Sequence, residues 1–150
     1  MKELLKETHS VEETYALGEA IGLNACRNMV FLLDGDLGAG KTTLTQGIAK
    51  GLGVKRNVTS PTFTIHKVYK GRLTLNHIDA YRLEGIQQDL GFEELLQDGG
   101  VTVIEWPSFM PDLAPEEYMG ISIRLLDGES RLFNLKAHGE QYERMLEVLA

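Results

Sequence analysis

Residues 35–42 read Gly35-Asp36-Leu37-Gly38-Ala39-Gly40-Lys41-Thr42, a complete G-x-x-x-x-G-K-[ST] phosphate-binding loop. In front of it runs Met29-Val30-Phe31-Leu32-Leu33, apolar and of strand length. Behind it Leu44, Ile48 and Leu52 recur every four residues, on one helical face. A strand before and a helix after are the context that the motif requires. Each position has its chemistry. Gly35 and Gly40 let the backbone turn so that consecutive N–H groups point at phosphate oxygens. The start of the helix adds orphan N–H donors and the positive end of its dipole. Lys41 brings a point charge to the outer phosphates, and the Thr42 hydroxyl is placed to ligate Mg²⁺. The loop predicts a nucleoside triphosphate as ligand.

The chain has 150 residues, enough for one domain over 1–150 that buries a sizeable core without disulfides or metal staples. Its 15 basic and 22 acidic residues leave a net charge of −7, so no overall basic field holds a nucleic acid; contact with RNA is expected through a partner. The single Cys26 has no internal disulfide partner, and its place at the end of a helical pattern predicts a buried, inert thiol. His9, His66, His77 and His138 show no paired metal-ligand spacing, which argues against structural zinc. No N-terminal apolar run resembles a signal peptide, and no stretch approaches a membrane span. The expected setting is soluble, reducing and cytoplasmic, with no membrane partner.

Working outward, Ser10-Val11-Glu12-Glu13 is a capping box that starts a helix with Leu17, Ala20 and Ile21 facing inward. Gly51-Leu52-Gly53 is a stop for the loop helix. Residues 64–69 and 72–78 read as two strands around a tight turn at Lys70-Gly71. A short helix is expected over 86–97, then a buried strand Val101-Thr102-Val103-Ile104 ending on Glu105. Pro107, Pro111 and Pro115 mark an irregular crossing. Residues 119–126 and 131–136 form a second hairpin around Asp127-Gly128, and a last helix aligns Tyr142, Met145, Leu146 and Leu149. Helices alternating with strands, with two hairpins intruding, predict an α/β fold with a mixed parallel and antiparallel sheet: a P-loop NTPase-like αβα sandwich.

A phosphate cradle needs metal support and a group that orients the attacking nucleophile. Ligands in open α/β sheets sit beyond the carboxyl ends of strands. Asp79, ending the run 73–78, and Glu105 are the acids so placed, and either can serve Mg²⁺ or orient a water. Thr59, Ser60 and Thr62 offer hydroxyls for a switch that senses the γ-phosphate, or form an ordinary turn. Tyr81-Arg82 offers a cation, and Trp106-Pro107 a cover or a packing element. A small-molecule P-loop kinase is the alternative, but Arg72, Arg82, Arg124 and Arg131 are scattered and suggest no substrate lid. A GTP switch lacks its N-K-x-D segment, and an interaction module that has lost hydrolysis stays open.

Four segments in this order, Gly35 to Thr43, Thr59-Ser60-Pro61-Thr62-Phe63, His77-Ile78-Asp79-Ala80-Tyr81-Arg82-Leu83 and Ile104-Glu105-Trp106-Pro107, resemble the TsaE (YjeE) family of small bacterial ATPases. The resemblance covers nearly the whole chain. It implies a Mg²⁺-dependent ATPase needed for threonylcarbamoyladenosine (t6A) at position 37 of tRNAs that read codons beginning with A. It implies TsaD and TsaB as partners, with tRNA reached through them, and no transfer of the group by this chain itself. By the same resemblance, Gly38, Ala39, Gly40, Lys41, Thr42 and Thr43 surround the phosphates of ATP. Thr42 and Glu105 serve Mg²⁺, Asp79 supports metal or water, Thr62 belongs to the switch, and Val11 to Thr14 lie near adenine. Ser108-Phe109 stands where family members commonly place an acid and a base, a departure that bears on partner contacts.

Overall fold

The computed structural model describes residues 2–35, 40–55, 58, 66–79, 99–105 and 115–150. They form strands β1 (Lys2–Thr8), β2 (Val30–Gly35), β3 (His66–Tyr69), β4 (Leu75–Asp79), β5 (Val101–Glu105), β6 (Tyr118–Leu125) and β7 (Arg131–His138). Helices α1 (Val11–Leu23), α2 (Lys41–Gly51) and α3 (Glu140–Leu149) complete the described elements. The expected helix over 86–97, the segment Thr59–Thr62, Tyr81-Arg82, Trp106 to Phe109 and Pro111 lie outside the described residues.

The strands make one seven-stranded sheet in the order β1-β7-β6-β2-β5-β4-β3. Its middle is parallel, with β2 between β6 and β5 and β4 beyond β5; the β1–β7, β6–β7 and β3–β4 pairs are antiparallel. This is the mixed sheet that the hairpins predicted. The apolar run of β2 is buried on both faces, as a central parallel strand must be. Phe31, Leu33, Val103, Ile121 and Phe133 join Ile21 of α1, Leu44 and Ile48 of α2 and Met145 of α3 in one core. Val30, Leu32, Ile78 and Ile104, which the pleat sends to the opposite face, are buried too, as the inner layer of a sandwich requires.

Ser10 caps α1 in extended backbone, its Oγ accepting from Glu13 N at 3.1 Å. The reciprocal arm reaches one residue further than a capping box predicts: Glu13 Oε1 accepts from His9 N at 3.2 Å. α1 and α2 then pack backbone to backbone. A Cβ placed on Gly18 or Gly22 would collide with the carbonyls of Leu44 or Ile48, and one on Gly47 or Gly51 with those of Tyr15 or Glu19.

Two expectations are corrected and one strand is added. Lys2–Thr8, a stretch to which the sequence assigned no element, is an edge strand; Leu4 packs on the core and Leu5 stays 62 % exposed. Charge along an edge strand hides it from pattern reading while blunting edge-to-edge pairing. The β3–β4 connection is not a two-residue turn, since Tyr69 pairs with Leu75 and Arg72 leaves the ladder. Arg72 instead donates from its backbone N to Leu52 O at 2.6 Å and from Nη2 to Gly22 O at 3.0 Å, docking the turn on the helix ends. Cys26 is exposed rather than buried. The helix ends at Leu23, and Asn24 closes it by donating from Nδ2 to Ala20 O, so Cys26 falls in the turn that leads to β2.

Candidate functional site

The topology makes the crevice. After β2 the chain goes on to β3 and β4, beyond β5; after β5 it goes to β6, on the other side of β2. The paths therefore diverge between the neighbouring strands β2 and β5, and beyond their carboxyl ends is where an open α/β sheet binds its ligand. The phosphate-loop sequence leaves β2 at this point.

Gly40 is the N-cap of α2 at φ 108° and ψ 14°, a conformation open to glycine and strained for a residue with a Cβ. Among the described residues no side chain caps this helix start. Its first-turn N–H groups and its dipole are thus disposed toward an anion. Lys41, the first residue of α2, is 6 % exposed, and its Nζ donates to Gly35 O at 2.7 Å. Thr42 and Thr43 follow, both partly exposed, and Thr45 Oγ donates back to Lys41 O at 2.8 Å. Gly38, Ala39 and Thr62 lie outside the described residues.

The two acids expected from the sequence end neighbouring parallel strands. Asp79 pairs with Glu105 across β4 and β5, and Glu105 is level with Leu33 of β2. Asp79 is 8 % exposed and Glu105 4 %. Buried carboxylates are costly unless partnered or ligating. Glu105 has a partner that sequence reading passed over: His77 Nε2 lies 3.1 Å from its Oε1, both side chains buried. The signal was present in the spacing, because a strand puts His77 and Asp79 on the same face.

Val11 is exposed at the start of α1, its N donating to Glu129 Oε1 at 3.4 Å. The starts of α1 and α2 are neighbours: a Cβ on Gly40 would sit 3.8 Å from Thr14 Cγ2. Thr14 is in turn buried against Thr8, their hydroxyls 2.7 Å apart. The structure thus groups the Gly40–Thr43 helix start with the start of α1, and Asp79 with Glu105 at adjoining strand ends.

The family model for the threonylcarbamoyl adenosine biosynthesis protein TsaE matches residues 8–133. This chain belongs to the TsaE family. A TsaE relative from Bacillus subtilis, described as a tRNA threonylcarbamoyladenosine biosynthesis protein, is 42 % identical over 100 % of this chain and 96 % of its own length. One from Treponema pallidum is 40 % identical over 83 % of this chain and 93 % of its own length. The crystal structure of Bacillus subtilis YdiB superposes with a TM-score of 0.83 at 36 % identity, covering 99 % of this chain and 94 % of that one. The TsaE family match begins at Thr8, but the full-length matches extend the likeness to β1 and α3. The fold is the P-loop NTPase type, an α/β sandwich on a mixed sheet. Among the described residues no helix is long and apolar enough to cross a membrane.

Proposed function

We propose that this chain is a Mg²⁺-dependent ATPase that serves t6A formation at position 37 of tRNAs reading codons that begin with A. It acts in the cytoplasm with TsaD and TsaB and does not transfer the threonylcarbamoyl group itself. The observation that carries the ATPase reading is the in-register pair Asp79 and Glu105 at the ends of β4 and β5, with β5 next to β2, whose end leads into the phosphate-loop sequence. Family membership supports the pathway, since the relatives are described as tRNA threonylcarbamoyladenosine biosynthesis proteins.

The residues fit a magnesium nucleotide. Carboxylate and hydroxyl oxygens are hard donors, and Mg²⁺ is held by one or two carboxylates together with substrate phosphates and water. Glu105 and Thr42 would hold it, with Asp79 supporting the metal or its water. Held there, the ion would supply Lewis-acid stabilisation of negative charge on the phosphate oxygens. Lys41 exchanges its carbonyl partner Gly35 for phosphate oxygens. Gly40 and the first N–H groups of α2 receive the remaining phosphate charge. The carboxylate that does not serve the metal orients the attacking water. A net charge of −7 leaves tRNA to the partners' surfaces.

The test is multi-turnover t6A formation on a substrate tRNA with TsaD, TsaB and ATP. Lys41→Ala and Glu105→Ala should each stop turnover after the first rounds. Normal modification by both variants would sink the mechanism.

A further inference from the structure

We propose that His77 is the positioning residue for Glu105: its Nε2–H holds Oε1 and leaves Oε2 for the cation. This rests on reading the site as a magnesium–nucleotide centre. His77 lies in the middle of β4, with no exposed surface, and its register neighbour is Val103, two residues before Glu105. The pleat puts His77, Asp79, Val103 and Glu105 on one face of the sheet. Nε2 reaches Glu105 Oε1 at 3.1 Å, while Nδ1 is buried and has no hydrogen-bond partner among the described residues.

That asymmetry fixes the tautomer. A proton on Nδ1 alone would leave a buried N–H without an acceptor and set the Nε2 lone pair against a carboxylate. With the proton on Nε2 the imidazole donates to Glu105, and only a weak acceptor stays unpaired. Burial by itself does not account for the imidazole, because an aliphatic side chain would fill the place beside Val103 with no unpaired atom. The polar atom that does find a partner finds the proposed metal carboxylate. Groups that hydrogen-bond a metal ligand fix its orientation, and their loss costs about 10–100-fold in metal affinity or activity.

The test measures binding, not turnover. A fluorescent ATP analogue is bound to the full chain while Mg²⁺ is titrated, in the wild type, His77→Gln, His77→Asn, Glu105→Ala and the Glu105→Ala/His77→Asn double variant. Glutamine carries an amide N–H to the reach of Nε2; asparagine, one methylene shorter, falls short of it. The expected result is that His77→Asn weakens the apparent Mg²⁺ affinity about 10-fold and His77→Gln restores most of it. Affinity in excess chelator should stay at the wild-type value, and His77→Asn should add nothing once Glu105 is gone. Wild-type Mg²⁺ affinity in His77→Asn overturns the inference, as does an equal loss with and without Glu105. If His77→Asn loses its cooperative thermal transition, His77→Gln carries the test, and Mg²⁺ binding as weak as that of Glu105→Ala overturns the inference. Wild-type binding indifferent to Mg²⁺ overturns the magnesium reading itself, and the positioning role with it.

Discussion

Lys41 Nζ donates a 2.7 Å hydrogen bond to the carbonyl oxygen of Gly35, so the lysine of the phosphate loop is folded back on the residue that opens the loop. Lys41 as a whole is 6 % exposed, and a buried cation is costly without such a partner. A triphosphate offers it stronger acceptors. Lys41→Met keeps the aliphatic stem and removes the charge, and should weaken ATP analogue binding at least 10-fold, about 1.4 kcal/mol. Lys41→Arg should not rescue it, because a planar fork does not replace a compact point charge in a closed space. Equilibrium titration of each variant checks both outcomes.

The contact between α1 and α2 gives a stability prediction that runs against helix propensity. Alanine favours a helix over glycine by about 1 kcal/mol. Gly22→Ala and Gly47→Ala should nevertheless destabilise, because the new methyl meets a carbonyl of the opposite helix. Overpacking of this kind costs about 1–3 kcal/mol. For a chain of this size that is a fall in melting temperature of about 2–4 °C per kcal/mol, read by thermal circular dichroism. Gly128→Ala is the comparison: its φ of 58° strains alanine, but nothing lies within 4 Å of the added methyl.

Tyr142 predicts an alkaline limit. Burial holds its phenol above the ordinary value, and the hydrogen bond from Val30 N, 2.8 Å to Oη, works the other way. A pKa raised in the folded state means stability that is fully present below the unfolded phenol value and lost as pH rises through the folded one. The wild type should therefore lose stability above about pH 10, where unfolded tyrosine ionises. Tyr142→Phe should remove this tyrosine's share of that slope. At neutral pH it should cost about 1–3 kcal/mol, since Val30 N–H is left buried without its acceptor. Urea unfolding at pH 7.5 and pH 10.5 separates the two effects.

Ser10→Ala removes the acceptor for Glu13 N and should cost about 1 kcal/mol by chemical denaturation. Ser10→Asp should restore it, because a carboxylate at the N-cap also suits the helix dipole.

The residues around the loop show what a sequence makes legible. Val30 to Leu33 announce a strand buried on both faces, and Leu44, Ile48 and Leu52 announce the helix behind it, because the patterns reflect burial directly. Asp79 and Glu105 were read as strand-end acids, and they do end β4 and β5, paired across the register. β1 was missed because an edge strand needs little apolar surface, and Lys2, Glu3, Lys6 and Glu7 look the same in coil. Gly18, Gly22, Gly47 and Gly51 stand at matching four-residue spacings, yet only tertiary structure tells that they face one another. The bond between His77 and Glu105 joins residues 28 apart in the chain: the spacing of His77 and Asp79 puts the imidazole on the acids' face, but only the pairing of β4 with β5 brings Glu105 to it.

Because α1 and α2 touch through their backbones, neither can slide along the other without driving a carbonyl into an α-carbon. Packed interfaces of this kind shift between discrete arrangements rather than yielding by degrees. The starts of the two helices, where Thr14 faces Gly40, therefore keep a fixed spacing. Any ligand that bridges them meets a gauge of set width, and must match it by its own length.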